Sequence, residues 1–294
     1  MSVALTVLCL LEAVVSIYLN LGIVLIYTRS WMKGLKLNPS SLIHLVMAAN
    51  NFTMRFSRIL DDFCLWLPEI FSTKYHSIIL FFLAFHLYFN YWLTAWLCAY
   101  YCLIITNLSH QLVVSIKRNL SAYLPYLVFL TGVGSLAIAF LYLWSGMNTS
   151  VQRPMNGSQI SSFIMGTSVT SSYRVLAAIL GSGLPFIGIV IFLLLTVLVL
   201  LKHVQKIGHT GSNVQVHITA MKTMVMFFIA STIFLICDLI HNIKQTTIHV
   251  IVIGWYVVAS FPTVEAIIII HASPKLQKIM PRWFCARGNR EGVN

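Results

Sequence analysis

Residues 2–27 read SVALTVLCLLEAVVSIYLNLGIVLIY, an almost unbroken apolar run that carries one charge, Glu12. A bilayer core of about 30 Å takes roughly 20 such residues as a helix, so the run is long enough to cross it. No basic segment precedes it and it is too long for a cleaved leader. It is therefore read as a retained first transmembrane helix.

Similar windows recur along the whole chain. They predict seven spans at about 3–28, 40–60, 77–106, 122–144, 174–201, 219–241 and 248–271, followed by a tail at 272–294. The expected fold is an all-α membrane protein, a single seven-helix domain over residues 1–294. Composition agrees. Of the 294 residues 59% are hydrophobic and 9% charged, and the mean hydropathy is +0.86. A soluble domain carries about 25% charged residues. The net charge of +12 does not imply a nucleic-acid partner, because the cations lie in short segments between apolar runs, where they set topology. The six cysteines show neither metal spacing nor a paired framework, and no metal or cofactor is expected.

Arg29, Lys33, Lys36, Lys117, Arg118, Lys202, Lys206, Lys222, Lys275, Lys278, Arg282, Arg287 and Arg290 follow spans 1, 3, 5 and 7. The opposite side holds fewer cations, with Asp61, Asp62 and Glu69 among them. The positive-inside rule then places the N-terminus outside and the tail in the cytosol. Of the five N-x-[ST] matches, only Asn148 and Asn156 fall in a segment expected to face the lumen and then the exterior. These two are the expected glycosylation sites.

Seven spans running outside to inside, with the third longest, point to a seven-helix receptor. A transporter would show repeated halves and a channel a filter or a charged ring; neither is visible. No Walker, HExxH, GxSxG or DxD pattern occurs, so the chain is not read as an enzyme.

The cytosolic segments narrow the reading. They are SWMKGLKLNPSSLI (30–43), WLTAWLCAYYCLIITNLSHQLVVSIKRN (92–119), LPFIGIVIFLLLTVLVLLKHVQKI (184–207), HITAMK (217–222) and HASPKLQK (271–278). In this order the chain resembles the bitter taste receptors (type 2 taste receptors) over nearly its whole length. That family shows a W-x-K-x-x-K-L loop, a YxLKIANFSH-like end to helix 3, LxKH in helix 5, HxxALK entering helix 6 and HSxxLIxxNxKLK closing helix 7. Rhodopsin-like receptors carry a DRY-type triplet where this chain has Thr106-Asn107-Leu108, and NPxxY where it has Ala272-Ser273-Pro274-Lys275. A vomeronasal-type pheromone receptor is the neighbouring alternative, and a small proton- or cation-coupled transporter the more distant one.

The resemblance implies a receptor at the plasma membrane, surrounded by membrane lipids, that binds small bitter agonists and activates a heterotrimeric G protein of the gustducin/Gi type. Asn107, Ser109, His110, Lys202, His203, His217 and Lys222 would form the G-protein-coupling surface. In the outer half, His86 and Asn90 lie one turn apart on helix 3, Phe234 and Asp238 likewise on helix 6, and Trp255 sits high on helix 7. Polar groups among aromatics in a bundle suit a small molecule, and these five are the expected ligand-binding residues. Where family members place a tryptophan and an asparagine on upper helix 3, this chain has Leu83 and Leu87.

The stretch FPTVEAIIIIH (261–271) buries a carboxylate, Glu265, in an otherwise apolar segment. By resemblance the family has asparagine at Asn20, arginine at Asn51 and His-Ser at Glu265-Ala266. Asn20, Asn51 and Glu265 are expected to form an activation network in which the arginine is lost and a carboxyl gained. Two states are open to Glu265. Protonated, it donates to Asn20 or Asn51, since burial disfavours the charged form. Ionised, it requires a cation such as sodium.

Overall fold

The computed structural model describes residues 3–66, 73–105, 111–149, 175–207, 212–241, 254 and 256–280. Nearly all of them are helical. The elements are α1 (Val3–Met32), α2 (Pro39–Trp66), α3 (Thr73–Ile105), α4 (Gln111–Thr149), a π-helical turn at Ala178–Gly183 leading into α5 (Leu184–Ile207), α6 (Ser212–His241), α7 (Phe261–Ala272) and α8 (Pro274–Ile279). Among the described residues five stretches are long and apolar enough to cross a membrane: Val7–Met32, Tyr75–Ile105, Ala122–Leu141, Val175–Val199 and Ile218–Ile240. Helix α7 is apolar but shorter. Helix α2 is less apolar, with Asn50 and Asn51 at its middle and Arg55, Arg58, Asp61 and Asp62 beyond.

Side-chain placement inverts the pattern of a soluble protein. Leu8, Leu10, Leu11 and Val14 on α1 and Ile187, Leu194 and Leu198 on α5 face outward, whereas Ser16, Asn20, Asn51, Asn90, Thr94 and Glu265 are buried. Exposed apolar surface of this extent needs a lipid solvent. Small and polar residues then take the inward positions, where helices meet through packing and hydrogen bonds.

Several helices outrun the expected spans. Helix α2 continues past residue 60, and α4 and α6 start upstream of residues 122 and 219. Hydropathy windows see only the apolar part of a helix, while backbone hydrogen bonding continues into the polar flanks. The expected tail also opens as a helix, α8, which starts with Ser-Pro.

Three joints have local causes. Helix α1 ends in a Schellman motif: Gly34 has φ +76°, its N–H donates to Trp31 O at 2.9 Å, and Leu35 N–H donates to Ser30 O at 3.2 Å. Glycine is the residue that adopts this left-handed conformation at no steric cost. The π turn lies just before Pro185, with Leu184 N–H donating to Ile179 O, five residues back. Proline has no N–H and its ring crowds the carbonyl four residues earlier, so a wider turn there relieves both problems. Between residues 256–259 and α7 the chain turns at Ser260, whose carbonyl accepts from Thr263 and Val264 N–H at 3.1 Å each. Pro262 sits in the first turn of α7, where its missing N–H has no partner to lose.

The chain divides into two compact units, one of residues 1–49 with 197–294 and one of residues 50–196. In the first, α7 packs on both α1 and α6. In the second, α3 packs along α4 and against the π turn. A Cβ built on Gly181 would lie 2.5 Å from Tyr88 Cδ1, so the absence of a side chain is what admits the Tyr88 ring.

Candidate functional site

In the unit of residues 50–196, α2 and α3 are joined by a directional polar relay. Asn50 Nδ2 donates to the backbone carbonyl of His86 at 2.9 Å and to Asn90 Oδ1 at 2.9 Å. His86 Nδ1 lies 2.7 Å from Asn50 Oδ1. Asn90 Nδ2 closes the series on Asn51 Oδ1. All four residues are buried, and in a medium without water each polar atom must find its partner in the protein. His86 also lies beside Phe85, with ring centroids 5.1 Å apart, and Phe85 stacks on Phe89 at 5.7 Å. Farther along α2, Asp61 accepts from Arg58 Nη1 at 3.4 Å and lies 3.1 Å from His76 Nε2. Burial pushes the neighbouring Asp62 carboxyl up to about 6, against the opposing pull of Arg58.

In the other unit a polar seam runs along α1. Thr263 Oγ1 donates to Glu12 Oε1 at 2.6 Å. Asn20 Nδ2 donates to Ser16 O at 2.9 Å and to Pro262 O at 3.2 Å. Tyr27 Oη donates to Ser273 Oγ at 3.0 Å and lies 3.4 Å from His44 Nδ1. Lys275 Nζ donates to Ser30 Oγ and sits 5.7 Å from the Tyr27 ring centroid. Glu265, one turn beyond Pro262, is 0% exposed.

The expected site residues are distributed as follows. His86 and Asn90 do meet, through Asn50, and Asn90 also bonds Asn51, a residue assigned to the activation network. Asn20 reaches α7 at Pro262. Phe234 is buried and packs edge-to-face on Phe261, with centroids 4.2 Å apart; Asp238 follows it on α6 and is half-buried. Trp255, Asn107, Ser109, His110 and Asn156 lie outside the described residues. Lys202 and His203 lie on α5, His217 on α6 and Asn148 at the end of α4, their side chains outside the description. Lys222 is exposed on α6.

Sequence reasoning missed the pairing of Asn50 with His86, the seam through Tyr27 and Ser273, and the burial of Arg55 one turn beyond Asn51. One signal was present: a serine directly before a proline is a helix-start signature, and it would have found α8. Among the described residues no group of histidine, cysteine and carboxylate side chains could hold a metal ion.

Comparison with family models matches residues 1–287 to the taste receptor protein family (TAS2R). The chain belongs to this family. Comparison with curated proteins finds no match. The chain is thus a type 2 taste receptor, a G-protein-coupled receptor and a multi-pass membrane protein, and its family is one of receptors rather than enzymes. Family membership selects this reading over the pheromone-receptor and transporter alternatives. For the taste receptor, the relay on α2 and α3 and the seam on α1 are polar systems set within otherwise apolar helices.

Proposed function

We propose that this taste receptor binds small bitter molecules in the outer half of its helices and responds by activating a heterotrimeric G protein of the gustducin/Gi type at the plasma membrane. The seven expected spans and the expected external N-terminus support this. So does the concentration of Lys and Arg after the first, third, fifth and seventh expected spans. The observation that carries the reading is the buried relay His86–Asn50–Asn90–Asn51. It links residues expected to meet an agonist with a residue expected in the activation network. Agonist binding would shift a two-state equilibrium of the helices and open a cytosolic cleft bordered by Asn107, Ser109, His110, Lys202, His203, His217 and Lys222. A partner helix with an anionic end suits such a cleft.

Glu265 belongs to this mechanism in its protonated form. Asn20 Oδ1 is buried with no donor among the described residues, and a neutral carboxyl one turn from Pro262 would answer it. Asp238, on the face of α6 shared with Phe234, favours cationic amines among the agonists.

The test is ligand-evoked calcium release in cells supplied with a gustducin-like G protein. A response to members of a broad bitter panel is expected. Silence toward the whole panel, with the receptor at the cell surface, overturns the reading.

A further inference from the structure

The relay on α2 and α3 has a polarity that can be derived from one atom. The backbone carbonyl of His86 can only accept, so the Asn50 atom 2.9 Å from it is the amide nitrogen. The carbonyl oxygen of Asn50 must then be the atom 2.7 Å from His86 Nδ1. An amide oxygen only accepts, so Nδ1 carries a hydrogen. The same logic sends the second Asn50 hydrogen to Asn90 Oδ1 and the Asn90 amide to Asn51. In neutral imidazole one nitrogen donates and the other accepts. With Nδ1 committed to Asn50, the lone pair is held on Nε2, on the far side of the ring. Among the described residues Nδ1 is the ring nitrogen that has a partner, and the ring is buried. A fixed tautomer held by a second residue is how proteins prepare a histidine nitrogen to meet a ligand.

We propose that His86 Nε2 is the acceptor for a hydrogen-bond donor on the agonist, so that the receptor selects molecules presenting an N–H or O–H over their N- or O-alkylated counterparts. This rests on the reading of the outer helices as the agonist site, and it names the chemical class that site takes. Asn50 is a positioning residue: it touches no ligand and acts by fixing the tautomer. A ligand that arrives without a donor leaves a buried lone pair unmet, a loss that a site built for hydrogen bonding discriminates strongly.

Two measurements test it. The first is nitrogen NMR of the purified full-length receptor carrying 15N-histidine, with the His86 signals identified by their loss in His86→Gln. The expected pattern is a protonated Nδ1 and an unprotonated Nε2; an Nε2–H tautomer overturns the proposal. The second is the calcium response to matched pairs of bitter phenols and secondary amines and their methylated analogues. In the wild type, methylation should raise the half-maximal concentration by about tenfold, the value of one net hydrogen bond. In His86→Phe the ratio should collapse toward one. If that variant does not reach the surface, Asn50→Leu releases Nδ1, lets the tautomer exchange and should shrink the same ratio. Equal potency within the pairs in the wild type overturns the donor preference and leaves the bitter-receptor reading standing. Silence toward every compound at full surface expression overturns both.

Discussion

Tyr27 on α1 donates a 3.0 Å hydrogen bond to Ser273, the residue that separates α7 from α8. Ser273 is extended, with φ −110° and ψ 109°, and its hydroxyl also accepts from Leu276 N–H, which caps the first turn of α8. The two roles predict unequal losses. Tyr27→Phe removes the bond to Ser273 together with the longer 3.4 Å contact to His44 and should cost about 1 kcal/mol. Ser273→Ala removes that bond and the cap, adding about another 1 kcal/mol. Thermal denaturation of the detergent-solubilised receptor ranks the two, and equal losses would refute the capping role.

Gly181 and Tyr88 make a second local test. A methyl group at Gly181 enters the space of the Tyr88 ring, and both neighbours are fixed in helices. Gly181→Ala should destabilise by about 1–3 kcal/mol, the usual range for overpacking. A smaller side chain at Tyr88 should restore part of it. If Gly181→Ala and Gly181→Ala with Tyr88→Leu melt together, the contact is not what makes glycine necessary.

Asp62 gives a pH dependence. Its carboxyl is raised from 3.8 to about 6 on folding, burial being the main cause. The folded state therefore binds the proton more tightly than the unfolded state, and the ionised group weighs against the fold above about 6. Stability should rise as pH falls from about 6 toward 3.8. Asp62→Asn should raise the melting temperature at neutral pH and flatten this rise. A variant less stable than the wild type at neutral pH contradicts the sign.

Glu265 offers a choice between two charge states. If the buried carboxyl is protonated, Glu265→Gln preserves a donor and an acceptor of similar shape, and agonist-evoked calcium release should persist. Glu265→Leu, which removes both, should lower the response at matched surface expression. Loss of signalling in the glutamine variant would instead assign the ionised form.

The two sequons at Asn148 and Asn156 test topology. Asn148→Gln and Asn156→Gln should each increase electrophoretic mobility, and the double variant should become insensitive to a glycosidase that removes N-linked sugars. Wild-type receptor insensitive to that enzyme would count against an external position for this segment.

Helix existence was legible from residues because a lipid solvent leaves one requirement, about 20 apolar positions in a row. The 2–27 run meets it openly, whereas the isoleucines before His271 lie in α7, which is apolar but shorter. Helix ends were less legible: α4 begins eleven residues upstream of the expected 122, at Gln111, where polar residues continue the backbone ladder without adding hydropathy. The polar residues that matter were also visible, since Asn20, Asn50, Asn51, His86, Asn90 and Glu265 stand out in apolar runs. Their pairing was not. Asn50 could have faced either neighbour, and only the rotation of α2 against α3 decides that it meets His86 and Asn90. Tyr27 was hidden for a related reason. A tyrosine near a helix end reads as an interface anchor, and nothing local shows that its hydroxyl meets a serine 246 positions away.

The seam along α1 also limits how α7 can travel. Glu12 and Asn20 hold the start of α7 at Thr263 and Pro262, while Tyr27 and Ser30 hold Ser273 and Lys275 just beyond its end. Sliding α7 lengthwise would shear all four together. Swinging it about the Ser260 turn strains the far ties while the near ones act as a pivot. The ties to α1 therefore oppose a lengthwise slide of α7 more than a swing about the Ser260 turn.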